Sequence, residues 1–153
     1  MLTFMDLDVW KESRILYQAV YQAVEQLPPE EMYGLTSQLK RASISISANI
    51  AEGQGRGTRK DYIHFLYNAR GSAYEVESHL IACADLQLMD RNMLVTLYKQ
   101  TVKVIRLINS LINALKRKMP SSVQENKYAY GKREELVTAE DMAEWKMCLD
   151  DKP

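Results

Sequence analysis

The chain has 153 residues, which suits one domain, and 46% of them are apolar, enough for a hydrophobic core. No run of 18 apolar residues occurs, which excludes a membrane-spanning helix, and 26% charged residues is typical of soluble proteins. The net charge is zero, but residues 38–70 hold six bases and two acids, residues 91–119 hold seven bases and no acid, and both ends are acidic. This asymmetry indicates either an anionic partner or acidic ends that neutralise basic helices within one assembly.

The first helix is predicted from about Asp6 to Gln26, because apolar residues recur there at spacings of three and four. Asp8 favours the positive end of the helix dipole. Pro28 and Pro29 end the helix, since proline cannot continue the backbone hydrogen bonds. The segment PPEEMYG is then interpreted as a short loop.

A second helix is predicted from about Leu35 to Glu52, although the alternation in SISIS also fits a strand. The helix is favoured because the longer window has a period of 3.6 residues. In addition, no second strand candidate exists that would pair with the segment's backbone.

This second helix has two apolar faces on a helical wheel. The face predicted to pack inside the bundle consists of Leu35, Leu39, Ala42, Ile46 and Ile50. The other consists of Ile44, Ala48 and Ala51. Because residues 42–51 carry no charge, we predict that another copy of the chain covers this second face.

Charged and polar residues beside that face complete a predicted structural or interface set. Arg41 and Glu52 share one side of the wheel and are interpreted as a structural salt bridge, as is Glu75 of the third helix. The whole set is Arg41, Ile44, Ala48, Asn49, Ala51, Glu52 and Glu75.

The glycines at positions 53, 55 and 57 are interpreted as a helix C-cap followed by a turn. The third helix is predicted from Thr58, a good N-cap residue, to about Leu86. Asp90 caps the fourth helix, which extends to about Lys118. Its apolar residues alternate three and four apart over three heptads, which is typical of left-handed helix packing.

Four helices with short connections predict an all-α fold, an up-down-up-down four-helix bundle over residues 1–119. The second apolar face of its second helix predicts that copies of this bundle assemble. Residues 120–153 are a C-terminal extension, with an aperiodic tether over 120–137. Met142, Trp145 and Leu149 then form one face of a short amphipathic helix. Such a helix is marginal alone, so we expect it to dock or to stay mostly unfolded.

This sequence offers no candidate catalytic residues. A di-iron bundle needs Glu-x-x-His on each of two helices, whereas this chain has two histidines and offers that offset once, as Asp61-x-x-His64. The segment GQGRG lacks the Gly-Lys-Ser/Thr end of a phosphate-binding P-loop. We therefore expect no metal, no cofactor and no enzymatic activity.

The beginning of the sequence, MLTFMDLDVWKES, is acidic where a secretory signal peptide is basic and then apolar. Cys83 and Cys148 are expected to be small buried apolar residues rather than a disulfide. Together these features predict a cytoplasmic protein.

Basic residues surround the glycine turn and recur along the fourth helix. Backbone N–H groups at the start of the third helix, next to these side chains, are suited to holding a phosphate. The predicted nucleic-acid-binding residues are Arg56, Arg59, Lys60, Lys99, Lys103 and Arg106.

Three motifs carry a resemblance to a known bacterial family. They are GLTSQLKRASISISANIAEGQGR over residues 34–56, Ala69-x-Gly71-Ser72-x-x-Glu75, and Leu7-x-Val9-Trp10. Over about residues 4–118 the chain resembles the four helix bundle protein family, also called the ribosomal RNA intervening-sequence protein family. The accessory variability protein of diversity-generating retroelements is a relative of that family.

The resemblance implies a ring-shaped homopentamer. It also implies basic surface for RNA or DNA and a possible protein partner such as a reverse transcriptase, because the retroelement relative binds both. The expected function is thus a non-catalytic, nucleic-acid-binding homopentamer, accessory to a nucleic-acid enzyme. The alternative is a protein-only scaffold that uses the oligomer surface and the C-terminal helix.

Overall fold

A computed structural model of the chain describes residues 3–119. These residues form four α-helices and no strand: α1 (Asp8–Ala23), α2 (Leu35–Gly55), α3 (Arg59–Asp85) and α4 (Arg91–Arg117). The helical interpretation of the SISIS segment is therefore confirmed. The predicted tether and the helix with Trp145 lie outside the described residues.

The first helix is shorter than the sequence predicted. A 3-10 turn occupies Phe4–Asp6, and α1 begins after Leu7, whose extended backbone (φ −72°, ψ 126°) separates the two. At its other end α1 passes into the 3-10 turn Val24–Gln26. The predicted loop before α2 contains a further 3-10 turn, Pro29–Tyr33, started by a proline whose fixed φ suits a first helical position.

Both predicted N-caps are confirmed. The Thr58 hydroxyl accepts a hydrogen bond from the backbone N–H of Asp61 at 3.1 Å. The Asp90 carboxylate accepts one from the N–H of Met93, also at 3.1 Å. Each cap satisfies a backbone donor that the first helical turn leaves without a partner.

The interpretation of the glycines as a cap and turn is wrong for the first two. Helix α2 continues through Gly53 and Gly55 and is capped by Arg56, and none of the described glycines has a positive φ. Gly53 is buried, and a Cβ there would lie 2.7 Å from Phe65 Cβ. Close packing of α2 against α3, and not a left-handed cap, therefore requires glycine at this position.

The helices close into a bundle in which each contacts its neighbour in the chain and α1 also contacts α4. Two hydrogen bonds connect opposite ends of this arrangement. Arg59 Nη1 donates to the Lys118 carbonyl oxygen at 2.6 Å, and the Asp90 N–H donates to Gln26 Oε1 at 3.2 Å. The start of α3 thus lies beside the end of α4, as an up-down-up-down arrangement requires.

The core is built mostly from the stripes that the periodicity predicts. The prediction is wrong at the start of α3, where Ile63 and Leu66 are buried and the predicted Tyr62 and Phe65 are half-buried. Its largest side chains are almost inaccessible to solvent: Leu16, Leu39, Ile46, Ile50, Leu66, Leu80, Leu94, Leu97 and Ile108. The buried serine and threonine hydroxyls bond to carbonyl groups in their own helices; Thr101 Oγ1, for example, donates to the Leu97 oxygen at 2.8 Å. These hydroxyls therefore enter the core without giving up a hydrogen bond.

Candidate nucleic-acid interface

The outer face of α4 carries an exposed line of cations. Lys99, Lys103, Arg106 and Arg117 lie opposite the buried positions, because spacings of four, three and eleven residues return to nearly one face at about 100° per residue. This set, here called the α4 stripe, spans about 27 Å at 1.5 Å per residue. No acidic residue occurs in α4, so the helix itself contributes no negative charge to the line.

At the C-terminal end of α4 the stripe reaches a second group of cations. The bond from Arg59 to the Lys118 carbonyl places the start of α3 at the end of α4. Arg56 and Lys60 flank Arg59 in the chain, and all three side chains are exposed. We call Arg56, Arg59, Lys60 and Lys118 the basic end.

Several of the six predicted binding residues already have partners. Arg56 pairs with Glu52 and lies 4.8 Å from the Phe65 ring centroid, and Arg59 holds the end of α4. Lys103 Nζ lies 2.8 Å from Glu12 Oε1. Hydrogen bonds from Lys103 and from Gln100 hold the pKa of the Glu12 carboxyl below its usual value.

Lys60 and Lys99 have no partner within residues 3–119 and are free to contact an anion. The structure therefore links the predicted residues as one surface, but through Arg117 and Lys118. In the sequence these two residues look like favourable charges at a helix C-terminus, so the predicted binding set does not include them. Extending the wheel of Lys99 to the end of α4 would have identified Arg117.

The predicted second face of α2 is uncovered in the protomer. Ile44 is 42% exposed, Ala48 is exposed and Ala51 is half-buried. Asn49 lies to one side, toward α3, where its amide donates to the Ser45 carbonyl at 2.8 Å. Ser45 in turn shares a 2.9 Å hydrogen bond with Ser72 of α3.

The predicted salt bridge between Arg41 and Glu52 does not form within the protomer. Eleven residues separate the two along α2, which is about 16 Å of helix rise, too far for their side chains to meet. Arg41 Nη2 instead donates to Gln38 Oε1 at 2.5 Å, and Glu52 pairs with Arg56. Glu75 Oε1 lies 3.7 Å from His79 Nε2 on the same helix.

A shallow groove adjoins this outer face between α1, the turn Pro29–Tyr33 and α2. Its lining is largely apolar and carries two cations. The lining residues are Tyr21, Met32, Thr36, Ser37, Lys40, Arg41, Ile44 and Ser45. The ammonium of Lys40 lies 4.9 Å from the Tyr21 ring centroid, a cation–π contact that fixes one wall of the groove.

A group between α3 and α4 was not identified from the sequence. The Arg70 guanidinium lies 4.9 Å from the Tyr67 ring centroid and donates to Asn109 Oδ1 at 2.9 Å. The ammonium of Lys116 lies 5.4 Å from the same ring. Tyr74, about two turns further along α3, is 40% exposed. The spacing of Tyr67, Arg70 and Tyr74 by three and four is the signal that would have revealed this surface.

Residues 3–119 contain no arrangement of side chains suited to nucleophilic or metal-assisted chemistry. Burial, with a smaller effect of Glu31, raises the pKa of the Cys83 thiol to about 11, so the thiol stays protonated near neutral pH. Burial likewise raises the pKa of Tyr62 to about 12. This part of the chain holds no cluster of three or more potential metal ligands and no helix long and apolar enough to cross a membrane.

Comparison with a solved structure supports the four-helix fold. No curated protein matches the chain. A crystallised protein of unknown function from the S23 ribosomal protein family of Bacteroides thetaiotaomicron VPI-5482 is 22% identical, with a TM-score of 0.62 over 68% of this chain and 97% of that chain. At this identity the likeness shows the fold alone.

A family model assigns the chain to a protein family, and the family that it indicates is not described as enzymatic. The model for the 23S rRNA-intervening sequence protein matches residues 5–110, which is more than half of the chain and includes all of α1, α2 and α3. This confirms the resemblance carried by the motifs in residues 7–75. The chain belongs to the 23S rRNA-intervening sequence protein family.

Proposed function

We propose that this protein is a non-catalytic, homo-oligomeric bundle that binds nucleic acid through the α4 stripe and the basic end. The observation that carries the proposal is the alignment of Lys99, Lys103, Arg106 and Arg117 on one exposed face of α4, a helix that contains no acid. A line of cations about 27 Å long can contact several phosphates of one strand at once. A role as an accessory to a cytoplasmic nucleic-acid enzyme, such as a reverse transcriptase, would use this surface.

The charge arrangement favours a polyanion over a small anion. A single phosphate would be held by a compact group of donors, whereas the four cations of the α4 stripe are spread along a helix. Neutralising many phosphates releases condensed counterions, so affinity is supplied by the whole line and not by one pocket. A family described by the intervening sequence of 23S rRNA makes RNA the first ligand to test.

The test compares two variants that remove the same number of charges. One replaces Lys60, Lys99, Arg106 and Arg117 by Gln; the control replaces Lys11, Arg14, Lys40 and Arg91 by Gln. Binding of a labelled 20-nucleotide RNA and of a 20-base-pair DNA is measured by fluorescence anisotropy between 50 and 200 mM salt.

We expect the first variant to weaken binding and to flatten the salt dependence by about 0.7 to 0.9 in log–log slope for each phosphate that is no longer neutralised. The control should stay within a few-fold of the unmodified protein with an unchanged slope. Absence of binding by the unmodified protein at 50 mM salt would overturn the proposal. Equal weakening in the two variants would show that net charge, and not this surface, is responsible.

Self-assembly is the second part of the proposal, with the outer face of α2 as the contact and a pentamer as the expected state. A partly exposed Ile44 beside Ala48 and Ala51 allows close approach of another helix, because small side chains leave room for its backbone. Ala48→Arg should leave the protomer folded and block assembly. Light scattering that shows the same oligomer for Ala48→Arg as for the unmodified protein would exclude this face.

A protein-only scaffold is the alternative, favoured by the groove beside Arg41 and Ile44. It predicts protein partners whose binding survives neutralisation of the α4 stripe. Pull-down with and without residues 120–153 tests whether the C-terminal extension contributes. An unchanged partner set after its removal would exclude a role for the extension.

A further inference from the structure

The outer surface between α3 and α4 combines an exposed and a half-buried tyrosine ring with cations next to the α4 stripe. Tyr67, Gly71 and Tyr74 share one face of α3, because they are spaced by four and three residues. Arg70 and Lys116 lie within cation–π distance of Tyr67. Basic side chains interleaved with aromatic rings are the arrangement that binds unpaired nucleotides, since phosphates meet cations while bases stack on rings.

Tyr74 offers the ring that is free for stacking. It is 40% exposed, and within residues 3–119 it has neither a hydrogen bond nor an aromatic or cationic partner. Tyr67, in contrast, is half-buried and already contacts two cations. The two tyrosines lie about 10 Å apart along α3, so the cations at Tyr67 stand where a strand stacked on Tyr74 would continue.

Gly71 leaves the surface of α3 open between the two tyrosines. Glycine in the middle of a 27-residue helix is unfavourable relative to alanine. Nothing inside the protomer explains it, because a Cβ at this position would meet no atom within 4 Å. The missing side chain leaves a recess between the two rings, of the kind that lets a ligand approach the helix closely.

The direction of the bound strand follows from the charges around Tyr74. Arg70 and Lys116 lie beside Tyr67, on the side of Tyr74 that faces the start of α3. Lys116 directly precedes Arg117 of the α4 stripe. A strand therefore leaves Tyr74 toward the basic end.

We propose that this surface selects unpaired nucleic acid, with a base stacked on Tyr74 over the recess at Gly71 and the adjoining phosphates at Arg70 and Lys116. The inference rests on the proposed function and adds the strandedness of its ligand. A duplex meets the α4 stripe with its phosphates but keeps its bases stacked internally, so it gains nothing from Tyr74.

The test uses the full chain and one unstructured 20-nucleotide RNA of mixed sequence, alone and annealed to its complement. Tyr74→Leu removes the ring but keeps an apolar side chain that favours a helix. Tyr74→Trp keeps a stacking ring, and Gly71→Gln fills the recess without adding charge. Tyr33→Leu is the matched control, because Tyr33 is 90% exposed and belongs to the turn before α2.

We expect Tyr74→Leu to weaken single-strand binding by roughly 5- to 100-fold and to change duplex binding less than two-fold. The salt slope should stay the same, since the variant neutralises as many phosphates as the unmodified protein. Tyr74→Trp should retain binding, and Tyr33→Leu should have no effect. Gly71→Gln should weaken single-strand binding about as much as Tyr74→Leu does, while melting at the same or a higher temperature.

The possible failures are distinguishable. If the unmodified protein binds neither probe at 50 mM salt, both this inference and the proposed function are wrong. If it binds both probes and Tyr74→Leu changes neither, or weakens both equally, the stacking site is wrong and the proposed function stands. Light scattering of each variant completes the test: loss of binding together with loss of the oligomer would assign Tyr74 to assembly and overturn the inference.

Discussion

Helices α2 and α4 occupy similar places in the bundle but differ in what they show to the outside. Both bury one stripe, with Ile46 and Ile108 fully inaccessible. On its outer side α4 carries the cations of the α4 stripe, which water solvates well, whereas α2 carries Ile44, Ala48 and Ala51. A single protomer in water therefore leaves no unfavourable apolar surface on the outer side of α4, whereas it leaves apolar side chains exposed on the outer side of α2.

The two helices also differ in how their buried faces are made. The α4 face is built mainly from large aliphatic side chains at heptad spacing, with Thr101 as its buried hydroxyl, whereas α2 buries Ser43 and Ser47 among its isoleucines. These hydroxyls donate to the carbonyl oxygens of Lys40 and Ile44, each at 3.0 Å. Small side chains let α2 approach its neighbours closely, and Gly53 is the extreme case. Helix α2 is thus adapted to close contact on both sides.

The sharpest way to break this comparison is to place the same charge on the two faces of α2. Ile46→Asp should destabilise the fold by about 4 kcal/mol or more, because it buries a carboxylate without a partner at a site with no solvent access. Ile44→Asp, two residues away and 42% exposed, should change the free energy of unfolding by about 0.5 kcal/mol or less in the protomer. Urea denaturation measures both variants in the Ala48→Arg background, in which assembly is expected to be blocked. Comparable destabilisation there would contradict the two-faced description of α2.

The corresponding pair in α4 tests whether its outer face is passive in folding. Ile108→Ala should cost about 3 kcal/mol, the transfer and cavity penalty of a fully buried aliphatic side chain. Arg106→Ala, on the α4 stripe, should cost about 0.5 kcal/mol or less. Destabilisation above about 1.5 kcal/mol for Arg106→Ala would mean that the α4 stripe is structural and not reserved for a ligand.

The fold was predictable to the extent that hydrophobic spacing determines it. The buried stripes of α1, α2 and α4, the caps at Thr58 and Asp90 and the order of the helices follow from local patterns, and the structure confirms them. The end of α2 was missed because glycine is interpreted locally as a helix end, whereas Gly53 is required by Phe65 and Tyr62 of another helix. The Arg41–Glu52 pair was misread because a wheel shows angles and omits the rise along the axis.

The candidate interface was predictable only in part, for the same reason. Charge counts identify the basic helices, but the bond from Arg59 to Lys118 joins residues 59 positions apart. The cluster of Arg70, Tyr67 and Lys116 likewise spans two helices. Each half looks like an ordinary solvated face, and only the packed bundle brings the halves together.

A smaller effect should separate the two glycines at the end of α2. Gly53→Ala should destabilise the protein by about 1–2 kcal/mol, because the new Cβ would lie 2.7 Å from Phe65 Cβ and 2.8 Å from Tyr62 Cδ2. Gly55→Ala meets nothing within 4 Å and should stabilise by about 0.5–1 kcal/mol through reduced freedom of the unfolded chain. Thermal unfolding of the two variants should give shifts of opposite sign; shifts of the same sign would place the α2–α3 contact elsewhere.

The smallest effect concerns the contact between Lys103 of the α4 stripe and Glu12 of α1. Hydrogen bonds from Lys103 and Gln100 lower the pKa of Glu12, so the ionised carboxylate stabilises the fold above its unfolded-state pKa, and this contribution disappears as the pH falls through the lower folded-state pKa. Glu12→Gln should therefore cost about 0.5 kcal/mol at pH 7, a modest value because Lys103 is 56% exposed, and progressively less below about pH 4. Glu25→Gln is the control, since Glu25 is exposed, has no hydrogen-bond or ion-pair partner within residues 3–119 and should contribute almost nothing at either pH. A Glu12→Gln penalty that stays constant from about pH 7 to about pH 3 would show that packing of this side chain, and not its charge, connects α1 to α4.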